Sequence, residues 1–154
     1  MRIIRDLISY RLHVVANLLS RGAELRYRRE FGVSLWEWRT LAHLGAESEP
    51  LSLNELARFA GIHKSQMSRV VAGLTERGLV LRAADEDDAR GVRLTLSKAG
   101  RKLYRDLIGA ASERDEIFRR CLTKDETEAF NSVLAKLTGQ ARELIEREKR
   151  QRAR

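Results

Sequence analysis

Apolar residues recur at spacings of three and four along most of this chain, and that spacing predicts amphipathic helices. The first long run covers residues 4–30, and the last keeps an apolar stripe through residues 123–145. Shorter helical runs lie at residues 34–44, 52–61, 63–77 and 97–120. Because the chain also contains a single proline, Pro50, the pattern predicts a mainly helical protein.

Three of these helices begin with a capping box, in which a hydroxyl side chain and a glutamate three positions later satisfy free N–H groups of the first turn. The three pairs are Ser34 with Glu37, Ser52 with Glu55, and Thr123 with Glu126. Gly61 separates the two short central helices and supplies the backbone freedom for a sharp turn, and Ile62 is expected to fill the corner. Residues 52–77 are therefore predicted to form a helix-turn-helix.

A β pattern follows directly after the second short helix. Gly78 ends that helix, residues 79–82 and 92–96 are predicted strands, and the charged sequence AADEDDARG joins them. A helix-turn-helix followed by such a hairpin is the winged-helix arrangement, in which the second helix enters the major groove of DNA and the wing contacts the backbone or the minor groove. The predicted fold class is mainly α (α+β): a winged helix-turn-helix with a two-stranded β wing, flanked by long N- and C-terminal helices.

The second helix of this unit, the predicted recognition helix, is polar on the face opposite its apolar residues. Its candidate DNA-contacting residues are Lys64, Ser65, Gln66, Ser68 and Arg69. Gln66 is the best candidate for a base edge, since its amide pairs bidentately with adenine, and Arg69 is expected at a guanine or a phosphate. The lysine and the two serines are expected to fix register on the DNA backbone. Arg93, on the second strand, is expected to touch either phosphate or solvent alone.

The wing resembles the signature of the MarR family of bacterial transcriptional regulators, which is D-x-R, five residues, then L-T-x-x-G. It stands here as D-A-R at residues 88–90 and L-S-K-A-G at residues 96–100, with Ser97 in place of threonine as the one departure. The resemblance implies that Arg90 inserts into the minor groove and that Asp88 orients the wing. The sequence SLWEWRTLAHL also resembles the second helix of the family, so the likeness extends over nearly the whole chain.

Basic residues are in excess in the predicted DNA-binding part. The chain has 30 Lys and Arg against 22 Asp and Glu, a formal net charge of +8. Residues 58–105 carry eleven basic and five acidic side chains, and four of these acids lie together at residues 85–88. The rest of this segment is strongly positive, which favours salt-sensitive binding to double-stranded DNA. The N-terminal sequence MRIIRDLISYRL is broken by charges in every turn, so we expect a cytoplasmic protein without membrane contact.

The apolar stripes of the first and last helices predict a two-fold homodimer, because one copy of the chain offers nothing to cover them. The two recognition helices would then lie about one DNA turn apart, on an imperfectly palindromic operator. We expect residues 1–154 to form a single MarR-like domain, with a DNA-binding part at 34–100 and a helical dimerisation part at 1–31 and 101–150. The stripes consist of Ile4, Leu7, Ile8, Leu12, Val15, Leu18, Leu19 and Leu25, and of Phe130, Val133, Leu134, Leu137, Ala141, Leu144 and Ile145.

The family resemblance also implies a small-molecule effector, bound between the first two helices and the fifth. Aromatic walls with one or two cations suit an aromatic or phenolic acid, or its coenzyme A thioester. Histidines such as His13 and His43 are more often hydrogen-bonded structural residues than ligand contacts, and Trp38 is expected in the core. The candidate effector-binding residues are Tyr10, Arg11, His13, Asn17, Arg21, Trp36, Arg39 and His43.

Other classes of function find little support in the residues. The three histidines lack metal-site spacing, no nucleophile-base arrangement or phosphate loop is present, and we expect neither a cofactor nor an enzyme. Three alternatives stay open: an architectural protein that binds DNA with little sequence preference, a protein-interaction module without DNA binding, and a redox-responsive regulator acting through Cys121. The single cysteine is better explained as a small packing residue.

Overall fold

The computed structural model describes residues 3–85 and 91–152 and divides the chain into two compact units, Met1–Ala110 and Ala111–Arg154. A short 3₁₀ turn, Ile4–Asp6, precedes the first α-helix. The α-helices are α1 (Ile8–Phe31), α2 (Leu35–Ala46), α3 (Leu53–Ala60), α4 (Lys64–Glu76), α5 (Lys98–Arg119) and α6 (Lys124–Arg152). The strands are β1 (Leu51–Ser52), β2 (Val80–Ala84) and β3 (Val92–Leu96).

The predicted starts of α2, α3 and α6 are confirmed by their capping geometry. The Ser34 hydroxyl accepts a hydrogen bond from the Glu37 backbone at 3.2 Å, while the Glu37 carboxylate accepts from the Ser34 backbone at 2.7 Å. Ser52 and Glu55 repeat the arrangement at the start of α3, and Thr123 and Glu126 at the start of α6. Each box satisfies donors that the helix itself leaves unpaired, which is why these boundaries could be predicted.

The sheet contains one strand more than the predicted two-stranded wing. β2 and β3 form the expected antiparallel hairpin, and β1 adds to the outer side of β3, so the strand order is β1-β3-β2. Leu51 pairs with Leu94, and Ser52 pairs with Arg93. A strand of two residues is too short to show alternation in the sequence, and it forms only because β3 presents a free edge to it.

The first unit is built around a continuous apolar core. Gly61, at φ +69°, ends α3 in the left-handed conformation and turns the chain into α4, as the sequence predicted. Buried leucines and methionine from the helices meet the inward side chains of the sheet. The largest fully buried side chains include Leu41, Leu56, Met67, Leu74, Leu94 and Leu107. This core fixes the hairpin and the helix-turn-helix as one body.

The segment L-S-K-A-G joins α5 to the end of α4 through a close backbone approach. The Ser97 hydroxyl donates to the Gly78 carbonyl at 2.7 Å and accepts from the Gly100 backbone at 3.0 Å. The Ser97 backbone donates to the Leu79 carbonyl at 3.0 Å. A Cβ on Gly100 would lie 2.0 Å from that same carbonyl oxygen, so only glycine fits. The hydroxyl and the glycine of the signature therefore have structural reasons.

Both long terminal helices expose apolar side chains in the single chain. α6 has no buried residue among those described, and Leu18 and Leu25 of α1 are 66% and 64% exposed. In the second unit, Leu122, Ala129, Phe130 and Val133 line a mainly apolar groove together with Glu126. No described helix combines the length and the hydropathy needed to cross a bilayer.

Candidate nucleic-acid interface

The recognition helix α4 separates its apolar and polar residues as the sequence predicted. Met67, Val71 and Leu74 are buried and attach the helix to the core. The predicted contact residues Lys64, Ser65, Ser68 and Arg69 are all exposed, whereas Gln66 is half-buried. These side chains lie on the first turn and a half of the helix. They are thus available to a ligand, and those nearest the helix start lie where its dipole is positive.

The start of α4 differs from the starts of α2 and α3. Its N-cap residue, His63, makes no side-chain hydrogen bond to the helix, and the first turn contains no acidic residue. The positive end of the helix dipole is therefore not compensated by a carboxylate, while Lys64 and Ser65 stand beside it. This arrangement is electrostatically suited to the phosphate backbone of DNA.

A groove of about 510 Å³ runs between the helix-turn-helix and the hairpin. Lys64 and Ser68 of α4 contribute to one side of it and Arg82 of β2 to the other, with Asn54 near the start of α3. Neither Arg82 nor Asn54 was among the predicted DNA-contacting residues. Arg82 is exposed on β2 opposite Leu94, which is buried. Arg82 lies two residues from buried Val80 and so on the same face of the strand, which means that strand alternation gave no signal that it would be exposed.

Arg93 has an environment that neither sequence-based alternative anticipated. Its Nε lies 2.9 Å from Oδ2 of Asp85, and its Nη1 lies 3.5 Å from Oε2 of Glu55. Nη1 also lies 3.4 Å from the Pro50 carbonyl oxygen. The guanidinium is therefore engaged by two carboxylates from separate elements instead of facing solvent alone.

Glu55 is held in its ionised form. Hydrogen bonds from the Ser52 backbone and side chain lower the pKa of the Glu55 carboxyl, and the Arg93 charge lowers it further. One carboxylate thus serves both the start of α3 and the base of the hairpin, and it remains an anion at neutral pH.

The two residues of the wing signature that the family resemblance assigned to DNA, Asp88 and Arg90, lie outside the described residues. Their predicted roles therefore remain predictions. The described parts of the hairpin end at Asp85 and begin again at Gly91, and a backbone hydrogen bond of 3.1 Å from Asp85 to Gly91 joins the two strand ends. This bond joins the two described ends of the hairpin.

The predicted effector-binding residues fall into two groups. Tyr10, Arg11, His13, Asn17 and Arg21 are exposed along α1, whereas Trp36, Arg39 and His43 are half-buried on α2. His13 and Asn17 hydrogen-bond each other at 2.8 Å, one helical turn apart. Since an α-helix rises about 1.5 Å per residue, the α1 group is spread over roughly 16 Å. A single small pocket in one chain cannot include all of it.

The α2 group is more compact. The Arg39 guanidinium lies 4.9 Å from the centre of the Trp36 ring, and its Nη2 lies 3.3 Å from Ser20 Oγ of α1. His43 stacks on Phe59 with ring centres 5.4 Å apart. Burial lowers the pKa of His43, and the Arg39 charge also lowers it against the opposing effect of Glu47, so this ring is neutral at pH 7.

The prediction that Cys121 is a packing residue is wrong for the single chain. The thiol is exposed and donates to the Phe118 carbonyl at 2.9 Å. The segment between α5 and α6 has no buried residue around it, which is why a small apolar side chain is not enclosed there. In the described parts of the chain, no group of three or more His, Cys, Asp or Glu side chains is arranged to hold a metal ion.

Comparisons with known proteins agree with this geometry. Residues 31–91 match the model of a MarR family, a stretch that covers α2, the helix-turn-helix and β2 and ends before β3. The chain is 30% identical over 101 residues to the HTH-type transcriptional regulator FarR of Neisseria gonorrhoeae, a match that covers 66% of this chain and 68% of that protein.

Solved structures share the fold over most of their length. The structure of a MarR/EmrR family transcriptional regulator from Acinetobacter sp. ADP1 superimposes with a TM-score of 0.82 at 24% identity, covering 93% of this chain and 99% of that one. MepR of Staphylococcus aureus in its DNA complex gives a TM-score of 0.81 at 20% identity, covering 88% and 98%. A probable transcriptional regulator from Pseudomonas aeruginosa gives 0.73 at 28%, covering 88% and 99%.

The helix-turn-helix with its exposed polar helix, the hairpin beside it and the extent of these matches lead to one assignment: this chain belongs to the MarR family of DNA-binding transcriptional regulators.

Proposed function

We propose that this regulator is a homodimer that binds an imperfectly palindromic operator and represses transcription until a small aromatic acid or its thioester releases it. The observation that carries the DNA-binding part of the proposal is the first turn and a half of α4. Met67, Val71 and Leu74 are buried, and Lys64, Ser65, Ser68 and Arg69 are exposed beside the groove that Arg82 also lines. MepR, which has this fold, was solved in complex with DNA. A bacterial regulator of this kind acts in the cytoplasm, where its operator is.

In this proposal, residues of α4 contact the major groove and residues of the wing contact the minor groove. Gln66 reads a base edge, and Arg69 reads a guanine or a phosphate in the major groove. Arg90 enters the minor groove, with Asp88 orienting the wing, as the family resemblance implies. The exposure of Lys64, Ser65 and Ser68 at the positive end of α4 supports their assignment to the phosphate backbone.

The homodimer is supported by apolar surface that the single chain leaves open. Apolar side chains are exposed along α1 from Ile8 to Leu25 and along α6 from Phe130 to Ile145, far beyond the scattered apolar residues of an ordinary surface. A two-fold partner would cover these stripes and present two copies of α4 to successive turns of DNA. The length of the stripes therefore favours the interpretation that a second copy of the chain covers them and that they do not face solvent.

Removing either specificity contact should weaken operator binding without dissociating the dimer. We expect Gln66→Ala and Arg90→Ala each to reduce affinity by about 1 to 3 kcal/mol, measured as the Kd for the upstream operator. Arg90→Ala should also reduce the dependence of Kd on salt, because a cation leaves the interface. Lys124→Ala is the control, since it removes an equal charge from an exposed site at the start of α6. If affinity is unchanged in both contact variants and in the control, Gln66 and Arg90 do not make the assigned groove contacts.

The main competing function is that of an architectural DNA-binding protein. It would bind the operator and random DNA of the same length with similar affinity, because phosphate contacts supply nearly all of its binding energy. A sequence-specific regulator should prefer its operator by about a thousandfold or more at equal salt. Titrating both DNAs at one ionic strength separates the two functions.

The effector part of the proposal rests on the α2 group. Arg39, stacked near Trp36 and held by Ser20, offers a half-buried cation beside an aromatic ring, which suits a carboxylate attached to a ring. We expect aromatic acids or their coenzyme A thioesters to raise the melting temperature of the protein and to weaken its binding to the operator. Arg39→Ala should abolish the thermal shift. A shift that persists in this variant would place the effector elsewhere.

A further inference from the structure

The base of the hairpin is held by an ion-pair cluster around Arg93. The guanidinium contacts Asp85 at the end of β2 through Nε at 2.9 Å, and Glu55 of α3 through Nη1 at 3.5 Å. The Pro50 carbonyl oxygen, just before β1, lies 3.4 Å from Nη1. One side chain on β3 therefore connects three other elements of the first unit: β2, α3 and the chain leading into β1.

The cluster is more than a solvent-exposed pair. The Asp85 side chain is 11% exposed and that of Arg93 is 36% exposed, so both charges are partly removed from water. The backbone of β3 at this position is also fixed, because Arg93 pairs with Ser52 on one side and Ala83 on the other. A partly buried, bridged guanidinium in a fixed frame holds its partners in place more firmly than a mobile surface lysine would.

The cluster lies where it can affect how the hairpin and the recognition helix are placed for DNA binding. Glu55 belongs to the capping box that starts α3, the first helix of the helix-turn-helix. Asp85 is the last described residue before the wing tip and lies, like Arg93, on the groove beside α4. A change in the angle between the hairpin and the helix-turn-helix changes the distance between the described part of the hairpin and the recognition helix. Those two elements have to meet adjacent grooves at the same time.

We propose that Arg93 is a positioning residue for DNA binding: through Asp85 and Glu55 it fixes the hairpin base against α3 and so sets where the wing tip meets the minor groove. This inference rests on the proposed operator binding. In this inference, the Arg93 side chain supports DNA binding by positioning the hairpin and not by contacting phosphate directly.

Direct phosphate contact and positioning by Arg93 predict opposite changes in operator affinity for the same substitution. Asp85 and Glu55 are anions on a surface that faces polyanionic DNA, so neutralising either one should raise affinity if Arg93 merely contacts phosphate and is released to do so. If Arg93 acts through these carboxylates, neutralising them lowers affinity although a repulsive charge is removed. The direction of the change in operator affinity therefore distinguishes a direct phosphate contact by Arg93 from a positioning role.

The experiment measures operator Kd over a range of salt concentrations, together with melting temperature, for Asp85→Asn, Glu55→Gln, Arg93→Ala and Arg93→Lys. We expect Asp85→Asn to weaken binding about threefold to tenfold. Glu55→Gln keeps the hydrogen bonds of the capping box and should weaken binding less, since its oxygen is the more distant partner. The melting temperature and the salt dependence should stay close to wild type in both, because neither a core residue nor a phosphate contact is lost.

Further comparisons complete the design. Arg93→Ala combined with Asp85→Asn should bind no worse than Arg93→Ala alone, whereas Arg93→Lys should recover part of the lost affinity through one carboxylate. Glu76→Gln is the matched control, an exposed acid at the end of α4 with no part in the cluster, and it should leave affinity unchanged or slightly raised. A gain in affinity for Asp85→Asn, or no change, would overturn the positioning role.

Failure of this inference can be told apart from failure of the proposed function by two further variants. If Gln66→Ala and Arg90→Ala weaken operator binding while Asp85→Asn strengthens it, operator recognition stands and only the positioning role falls. If neither of those contact variants changes Kd, the assigned groove contacts themselves are wrong.

Discussion

Gly100→Ala is expected to destabilise this protein more than any other single-methyl change in its DNA-binding unit. The added Cβ would lie 2.0 Å from the Leu79 carbonyl oxygen and 2.9 Å from its carbon, which are backbone atoms that cannot rotate away. That carbonyl also accepts the hydrogen bond from the Ser97 backbone, so relieving the clash breaks a buried contact as well. We expect a loss of about 3 kcal/mol or more in the free energy of unfolding, measured by urea denaturation.

Gly109→Ala is the matched control for this substitution. Gly109 is an exposed glycine in the same helix, and a Cβ there meets nothing within 4 Å. Alanine should therefore stabilise α5 by up to about 1 kcal/mol through its higher helix propensity. Equal stability for the two variants would mean that the approach of α5 to Leu79 is looser than described, and that the glycine of the L-S-K-A-G segment is not required by packing.

Leu134→Lys is expected to abolish the dimer, and with it operator binding. Leu134 lies in the apolar stripe of α6, which has no buried residue in the single chain. In a two-fold dimer the substitution occurs twice, so two unpaired ammonium groups would have to be buried, at a cost of several kcal/mol each. Analytical ultracentrifugation should show monomer or aggregate at micromolar concentration, and the Kd for the operator should rise by about a hundredfold or more.

The matching change on the opposite side of the same helix is Ser132→Lys. Ser132 is exposed and lies about 160° around the helix from Leu134, so its lysine should stay in water and leave the dimer intact. A Leu134→Lys variant that sediments as a dimer and binds the operator normally would show that the α6 stripe is not the dimer interface.

The elements that were predicted well are those whose causes are local. Ser34, Ser52 and Thr123 each begin a helix with a glutamate three residues later, and all three capping boxes are present. β3 was predicted with its observed boundaries, and β2 was predicted to within a residue or two. The start of α1 was placed too early, since residues 4–6 form a 3₁₀ turn that the apolar periodicity does not distinguish from an α-helix.

The same distinction between local causes and contacts of distant segments applies to the candidate DNA-binding site. The polar face of α4 follows from periodicity alone, and four of its five candidate residues are exposed, while Gln66 is half-buried. The partners of Arg93 come from positions eight and 38 residues away, and no sequence pattern connects them. Arg82 likewise joins Lys64 and Ser68 in one groove only when the hairpin folds back beside α4. Contacts between distant segments depend on how the core closes, and the sequence does not record that directly.

By itself, the sequence determined the three helix starts with capping boxes, the hairpin, the outward face of the recognition helix and the two apolar stripes. Each of these follows from interactions within a few residues or from a regular period along one element. Only the tertiary structure decided that β3 takes up a third strand, that Gly100 must be a glycine, and that Arg93 is bridged between two carboxylates. These depend on distances between segments far apart in the chain, which are set when the buried leucines of several elements pack into one core.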